Sequence, residues 1–102
     1  MAKLYVIYQQ PADPAVFDAC CFNKHVPLAR TIPGLRSYEV TQGDVMGMGG
    51  THAVYLVATL AFDSIAAIAA AMASAEGQAT AADLANFAAA GVDVLMGDTA
   101  MV

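Results

Sequence analysis

Charge is scarce in this chain. Asp, Glu, Lys and Arg make up 13% of its 102 residues, and four bases stand against nine acids for a formal charge of -5. The bases, Lys3, Lys24, Arg30 and Arg36, form no run. A phosphate backbone is bound by clustered Lys and Arg, so the pattern excludes nucleic acid as a partner and disfavours anionic membrane surfaces. The only cysteines, Cys20 and Cys21, are adjacent. A disulfide between neighbours closes a strained ring, so free thiols and a cytoplasmic location are expected. Two His and two Cys, with no C-x-x-C or H-x-x-x-H, give no ligand framework, and no metal is expected. The apolar run "IAAIAAAMA", Ile65 to Ala73, is far shorter than the ~20 residues of a membrane-spanning helix. The N-terminal stretch has no cleavage-type apolar region, so no secretory leader is expected. No linker, repeat or low-complexity tail interrupts the chain, which reads as one domain over residues 1–102.

Apolar residues, by contrast, make up 59%. A domain this small and this apolar has more hydrophobic surface than one core can hide, which points to self-association, a bound apolar ligand, or both.

The pattern predicts a first strand in "KLYVIYQ", then a helix capped by Asp13 with Pro14 at its first position and ending near Ile32 before Pro33-Gly34. "LRSYEVTQG" reads as a second strand, "DVMGMGG" as a glycine-bearing connection, and "THAVYLVATLAF" as a third strand. Asp63 is expected to cap a helix that Gly77 ends. "TAAD" (Thr80 to Asp83) reads as a capping box opening a further helix that Gly91 closes, and "VDVLMGDTAMV" as the last strand. The order βαββ(αα)β is that of a ferredoxin-like α+β sandwich, an antiparallel four-stranded sheet with helices on one face. Such a sheet ordinarily shows water one polar face. Here strand one offers Leu4, Val6 and Tyr8 on one parity and Tyr5 and Ile7 on the other. Strand three offers Val54, Leu56 and Leu60 against Ala53, Tyr55 and Val57. Both faces call for burial, so two sheets are expected to pack together in a homodimeric α+β barrel.

His25 is the leading candidate for chemistry. Pro27 deprives the Asn23 carbonyl of its helical partner, so the helix loosens beside an imidazole that titrates near neutrality. The plainer role is a histidine held at a helix kink. Cys21 lies at i−4 from His25, but with no orienting Asn or Asp evident beside the pair, a small buried thiol is expected. "GDVMGMGG" lacks the GK[ST] ending and a following helix, so it is a flexible connection able to close over a pocket mouth. His52, at the start of the third strand, is expected at the surface. Asp63 and Asp83 read as helix-start residues. No Ser/His/Asp order or carboxylate pair appears.

The stretch "FNKHVPLARTIPGLRSYEV" (Phe22 to Val40) resembles the hallmark of the EthD-like family within the dimeric α+β barrel superfamily, and "FDSIAAIAAAMASAEGQATAADLANF" (Phe62 to Phe87) resembles that family's second half. The resemblance implies a ferredoxin-like protomer pairing into a barrel, in a bacterial setting of breakdown of ethers and other apolar compounds beside a monooxygenase system. Wider relatives include cofactor-free monooxygenases, lactone isomerases, polyketide cyclases and dehydratases, and some haem enzymes. His25 maps onto the family's histidine, with Pro27 and Leu28 beside it. The expectation is acid/base chemistry without a cofactor on a small apolar oxygenated molecule held between helices and sheet. His25 would shuttle the proton, and Phe22, Leu28, Tyr38, Tyr55 and Met96 would form the walls. The competing expectation is a binding or accessory protein to an oxygenase system, since one imidazole is a sparse catalytic set.

Overall fold

A computed structural model describes residues 1–50 and 52–102; Thr51, the first residue of the expected third strand, lies outside the described residues. The chain runs β1 (Ala2–Gln9), α1 (Pro14–Cys20), a π-helical segment (Cys21–His25), α2 (Val26–Ala29), β2 (Ser37–Val40), β3 (Val54–Phe62), α3 (Ile65–Ala73), α4 (Ala75–Phe87) and β4 (Val92–Asp98). The four strands form one antiparallel sheet in the order β2-β3-β1-β4, the ferredoxin-like arrangement.

Register assigns the two faces. Tyr38, Leu60, Leu4 and Met96 make one rung across the sheet, and Val40, Ala58, Val6 and Val94 make another, all on the helix-covered side. The central members, Leu4, Tyr8, Leu56, Ala58 and Leu60, are buried with Phe17, Cys21, Ile68 and Phe87 from the helices. Tyr5, Ile7, Val57 and Leu95 lie on the other, uncovered face, where Tyr5 pairs with Leu95 and Ile7 with Val57. Leu95 keeps 56% of its surface exposed.

Two local features depart from simple periodicity. Tyr8 pairs with Leu56 but Gln9 with Val54, so Tyr55 is an extra residue in a β-bulge. A bulge puts two consecutive side chains on one side of the sheet. Tyr55 therefore joins Leu56 beneath the helices, its ring edge-on to Phe17 with centroids 5.2 Å apart, instead of sharing the face of Val57 as strict alternation predicts. The second departure lies beyond β3. Ser64, not Asp63, caps α3 through Ala67 N–H, while Asp63 takes a bidentate ion pair with Arg36. The break between the last two helices falls at Ser74, which ends α3 and caps α4 through the N–H of Gly77. Gly77 thus sits in the first turn of α4, pressed against α3, where a Cβ would run into the Ala71 carbonyl. Thr80 and Asp83 are interior residues of α4, not its start.

Candidate functional site

Asp13 caps α1 through the Val16 N–H, with Pro14 at the first position. The helix then widens. Val26 N–H bonds the Cys21 carbonyl, five residues back, and Pro27 follows with no N–H and a ring that crowds the carbonyl four residues before it. Opening the ladder into a π turn just before this proline relieves that conflict, and such single π turns recur at functional sites. The wide turn divides its side chains: Phe22 points outward, whereas His25 points toward α4 and is buried to 4% exposure.

Asp83 of α4, 5% exposed, meets it there. His25 Nδ1 lies 3.0 Å from Asp83 Oδ2. The other carboxylate oxygen accepts from Asn86 Nδ2 at 2.8 Å and pairs with Lys24 Nζ at 3.2 Å. Burial acts to raise the carboxyl pKa, but hydrogen bonds from Asn86, His25 and Lys24 outweigh it and hold Asp83 below the ordinary value. An ionised carboxylate only accepts, so Nδ1 carries the proton. Burial lowers the imidazole pKa, and the Asp83 contact only partly offsets it, leaving a neutral ring at pH 7. The arrangement is an oriented imidazole whose Nε2 is a proton acceptor. Nε2 has no partner among the described residues, where no fully buried polar side-chain atom is left unpaired, so it reaches accessible surface. The ring packs on Phe87 at a centroid distance of 4.8 Å, and Phe87 in turn packs on Tyr8 and Phe17.

Three other titratable side chains in this layer, Cys21, Tyr38 and Tyr8, are held neutral. Burial first, then Asp18, Asp83 and Cys20 nearby, pushes the Cys21 thiol up to about 11, which makes it a poor nucleophile at neutral pH. Burial likewise pushes Tyr38 up to about 12 and Tyr8 further still.

A groove of about 930 Å³ opens at one end of the helix–sheet gap, between α1 with the π turn and the connection before β3. Of the residues named from sequence as walls, Phe22 and Tyr55 line it and Leu28, Tyr38 and Met96 do not; His25 is not in its lining. Tyr38 and Met96 share a rung but sit on the outer strands of the sheet, about 14 Å apart at the usual strand spacing, too far to clasp one small molecule. Leu28 is half-buried in α2. His52 lies in the groove wall, its Nδ1 accepting the Val54 N–H at 3.1 Å. Sequence reasoning passed over Asp83, Asn86 and Lys24. The available signal was spacing: Gly77, Thr80, Asp83 and Phe87 form the buried stripe of α4, and an acid within such a stripe calls for a buried partner. No group of three or more possible metal ligands occurs among the described residues, and no helix among them is long and apolar enough to cross a membrane.

Residues 9–91 match the EthD domain model. The chain belongs to the EthD family. It is 42% identical over 98 residues to an uncharacterized 11.0 kDa protein of the thcB–thcC intergenic region of Rhodococcus erythropolis, covering 96% of this chain and 94% of that protein. The crystal structure of an ethyl tert-butyl ether (EthD) family protein from Bacillus halodurans superposes with a TM-score of 0.88 at 36% identity, over 98% of this chain and 99% of that one. Two more distant structures share the fold alone. One is SnoaB, a cofactor-independent oxygenase from Streptomyces nogalater (TM-score 0.69, 13% identity, 99% and 94% of the two chains). The other is a dimeric protein of ferredoxin-like fold from Bacteroides fragilis (0.65, 18%, 96% and 95%).

Proposed function

We propose that this EthD-family chain is a cytoplasmic homodimer that performs cofactor-free acid/base chemistry on a small apolar oxygenated compound, with His25 taking the proton and Asp83 positioning it. The observation that carries this reading is the 3.0 Å contact from His25 Nδ1 to a buried, ionised Asp83. It fixes the tautomer, leaves Nε2 basic, and gives the cation formed on proton transfer a counter-charge. Neutral phenols and thiol around it leave His25 as the base of this layer. The natural chemistry is removal of a proton next to a carbonyl, the first step of an isomerase, cyclase, dehydratase or cofactor-free oxygenase. Pairing of two copies is supported by the uncovered face of Tyr5, Ile7, Val57 and Leu95, and the dimeric neighbour of like fold is consistent with it. Two free thiols fit a reducing compartment.

The test is exchange of the α-protons of a small apolar ketone, 2-tetralone, into D2O, followed by NMR. The native protein accelerates exchange, and His25→Ala abolishes the acceleration. An acceleration unchanged in that variant would remove His25 from the chemistry. One observation favours a second reading, a ligand-binding accessory to an oxygenase system: the groove at the π turn does not have His25 in its lining.

A further inference from the structure

We infer that the groove at the π turn is a binding site in its own right, separate from His25, and that it takes an organic cation, an amine carried on an aromatic body. Val40, Val54 and Leu56 give it apolar patches among polar side chains such as Gln10, Thr41 and Gln42, and two rings line it, Tyr55 and the 44%-exposed Phe22. Its charge is of one sign. Asp18 and Asp44 both line it, no Lys or Arg does, and neither carboxylate has an ion-pair partner among the described residues. Asp18 is half-buried and held in place, its Oδ1 accepting the Tyr55 hydroxyl at 2.9 Å, which leaves Oδ2 for a ligand. The β-bulge makes this contact, because without the extra residue Tyr55 would point to the opposite face of the sheet.

An uncompensated carboxylate, fixed beside aromatic rings in a partly desolvated cavity, is the complement of an ammonium group on an apolar body. An anion of the same shape would meet two negative charges and no positive one, so the groove selects against it. His52 adds a direction. Its Nδ1 accepts the Val54 N–H, which leaves Nε2 as the donor of the ring.

The experiment is titration of the full-length protein with phenethylamine, 2-phenylethanol and 3-phenylpropionate, followed by backbone amide NMR. The amine is expected to bind and to shift the amides of Asp18, Phe22, Val54 and Tyr55. The alcohol is expected to bind at least about tenfold more weakly and the acid not at all. Asp18→Asn keeps an acceptor for the Tyr55 hydroxyl but loses the charge, and should weaken the amine about tenfold or more. His25→Ala should leave amine binding unchanged, which keeps this test independent of the proton-transfer reading. Equal binding of amine and acid, or amine affinity unaltered in Asp18→Asn, or shifts confined to residues outside the groove, would overturn the assignment.

Discussion

At the scale of single residues, the stability and chemistry of the site rest on one buried pair. His25 and Asp83 are each nearly inaccessible, and Asp83 collects donors from three side chains. Replacing Asp83 with Asn keeps the shape but removes the charge that selects the Nδ1–H tautomer. Unfolding titrations should show a loss of about 1–3 kcal/mol, and proton exchange catalysed by His25 should fall by at least about 100-fold. The pair also sets an acid limit. The His25 pKa is lowered from 6.5 in the fold, so below that value the unfolded chain binds a proton that the native site resists, and stability falls with pH. Asp83, lowered from 3.8, adds a second loss as pH drops further through its folded value. Melting temperature should therefore be flat above about pH 6.5 and decline below it. His25→Gln should remove the first part of that decline, which scanning calorimetry between pH 7 and pH 4.5 would read.

At the scale of elements, the two helix discontinuities carry the site. Pro27 favours the π turn by denying an N–H to the ladder, and Pro27→Ala should let the segment relax toward an α-helix and turn His25 away from Asp83. Loss of the His25–Asp83 hydrogen-bond signature in imidazole 15N spectra would register this, and an unchanged spectrum would mean that the π turn is held by other packing. Gly77 is the second pivot. Because α4 crosses the end of α3 at the Ala71 carbonyl, Gly77→Ala should cost about 1–3 kcal/mol through overpacking, shown by a lower denaturation midpoint. The limits of sequence reading fall at the same places. The loosening at Pro27 and the cap at Asp13 were legible, because proline and Asx residues act through local geometry. Asp83 was not, because "TAAD" satisfies a capping pattern equally well when Ser74 has already begun the helix one turn and more upstream. Nor was Tyr55, since a bulge is set by pairing with β1 and leaves no mark on the β3 sequence itself.

At the scale of the whole molecule, the succession of elements was readable from caps and turn residues, and the two apolar faces from residue types, because alternation in β1 and β3 does not separate polar from apolar. The groove was only partly readable: Phe22 and Tyr55 line it, while Tyr38 and Met96 stand on the two edge strands and Leu28 on α2, placements that depend on long-range packing and not on local pattern. If the uncovered face pairs with a second copy, the protein should elute with twice its 10.5 kDa mass in light scattering at micromolar concentration. Leu95→Asp, which puts a charge on that face, should yield monomers with the fold retained by circular dichroism. A monomeric native protein would contradict the pairing of sheets.

The tautomer and charge of His25 test the proton-transfer reading most directly. Long-range 1H–15N correlation spectra at pH 7 should show a neutral ring with the proton on Nδ1 and a bare Nε2, titrating below 6.5. A ring that carries its proton on Nε2, or that is already charged at pH 7, would contradict the claim that Asp83 holds His25 as a base.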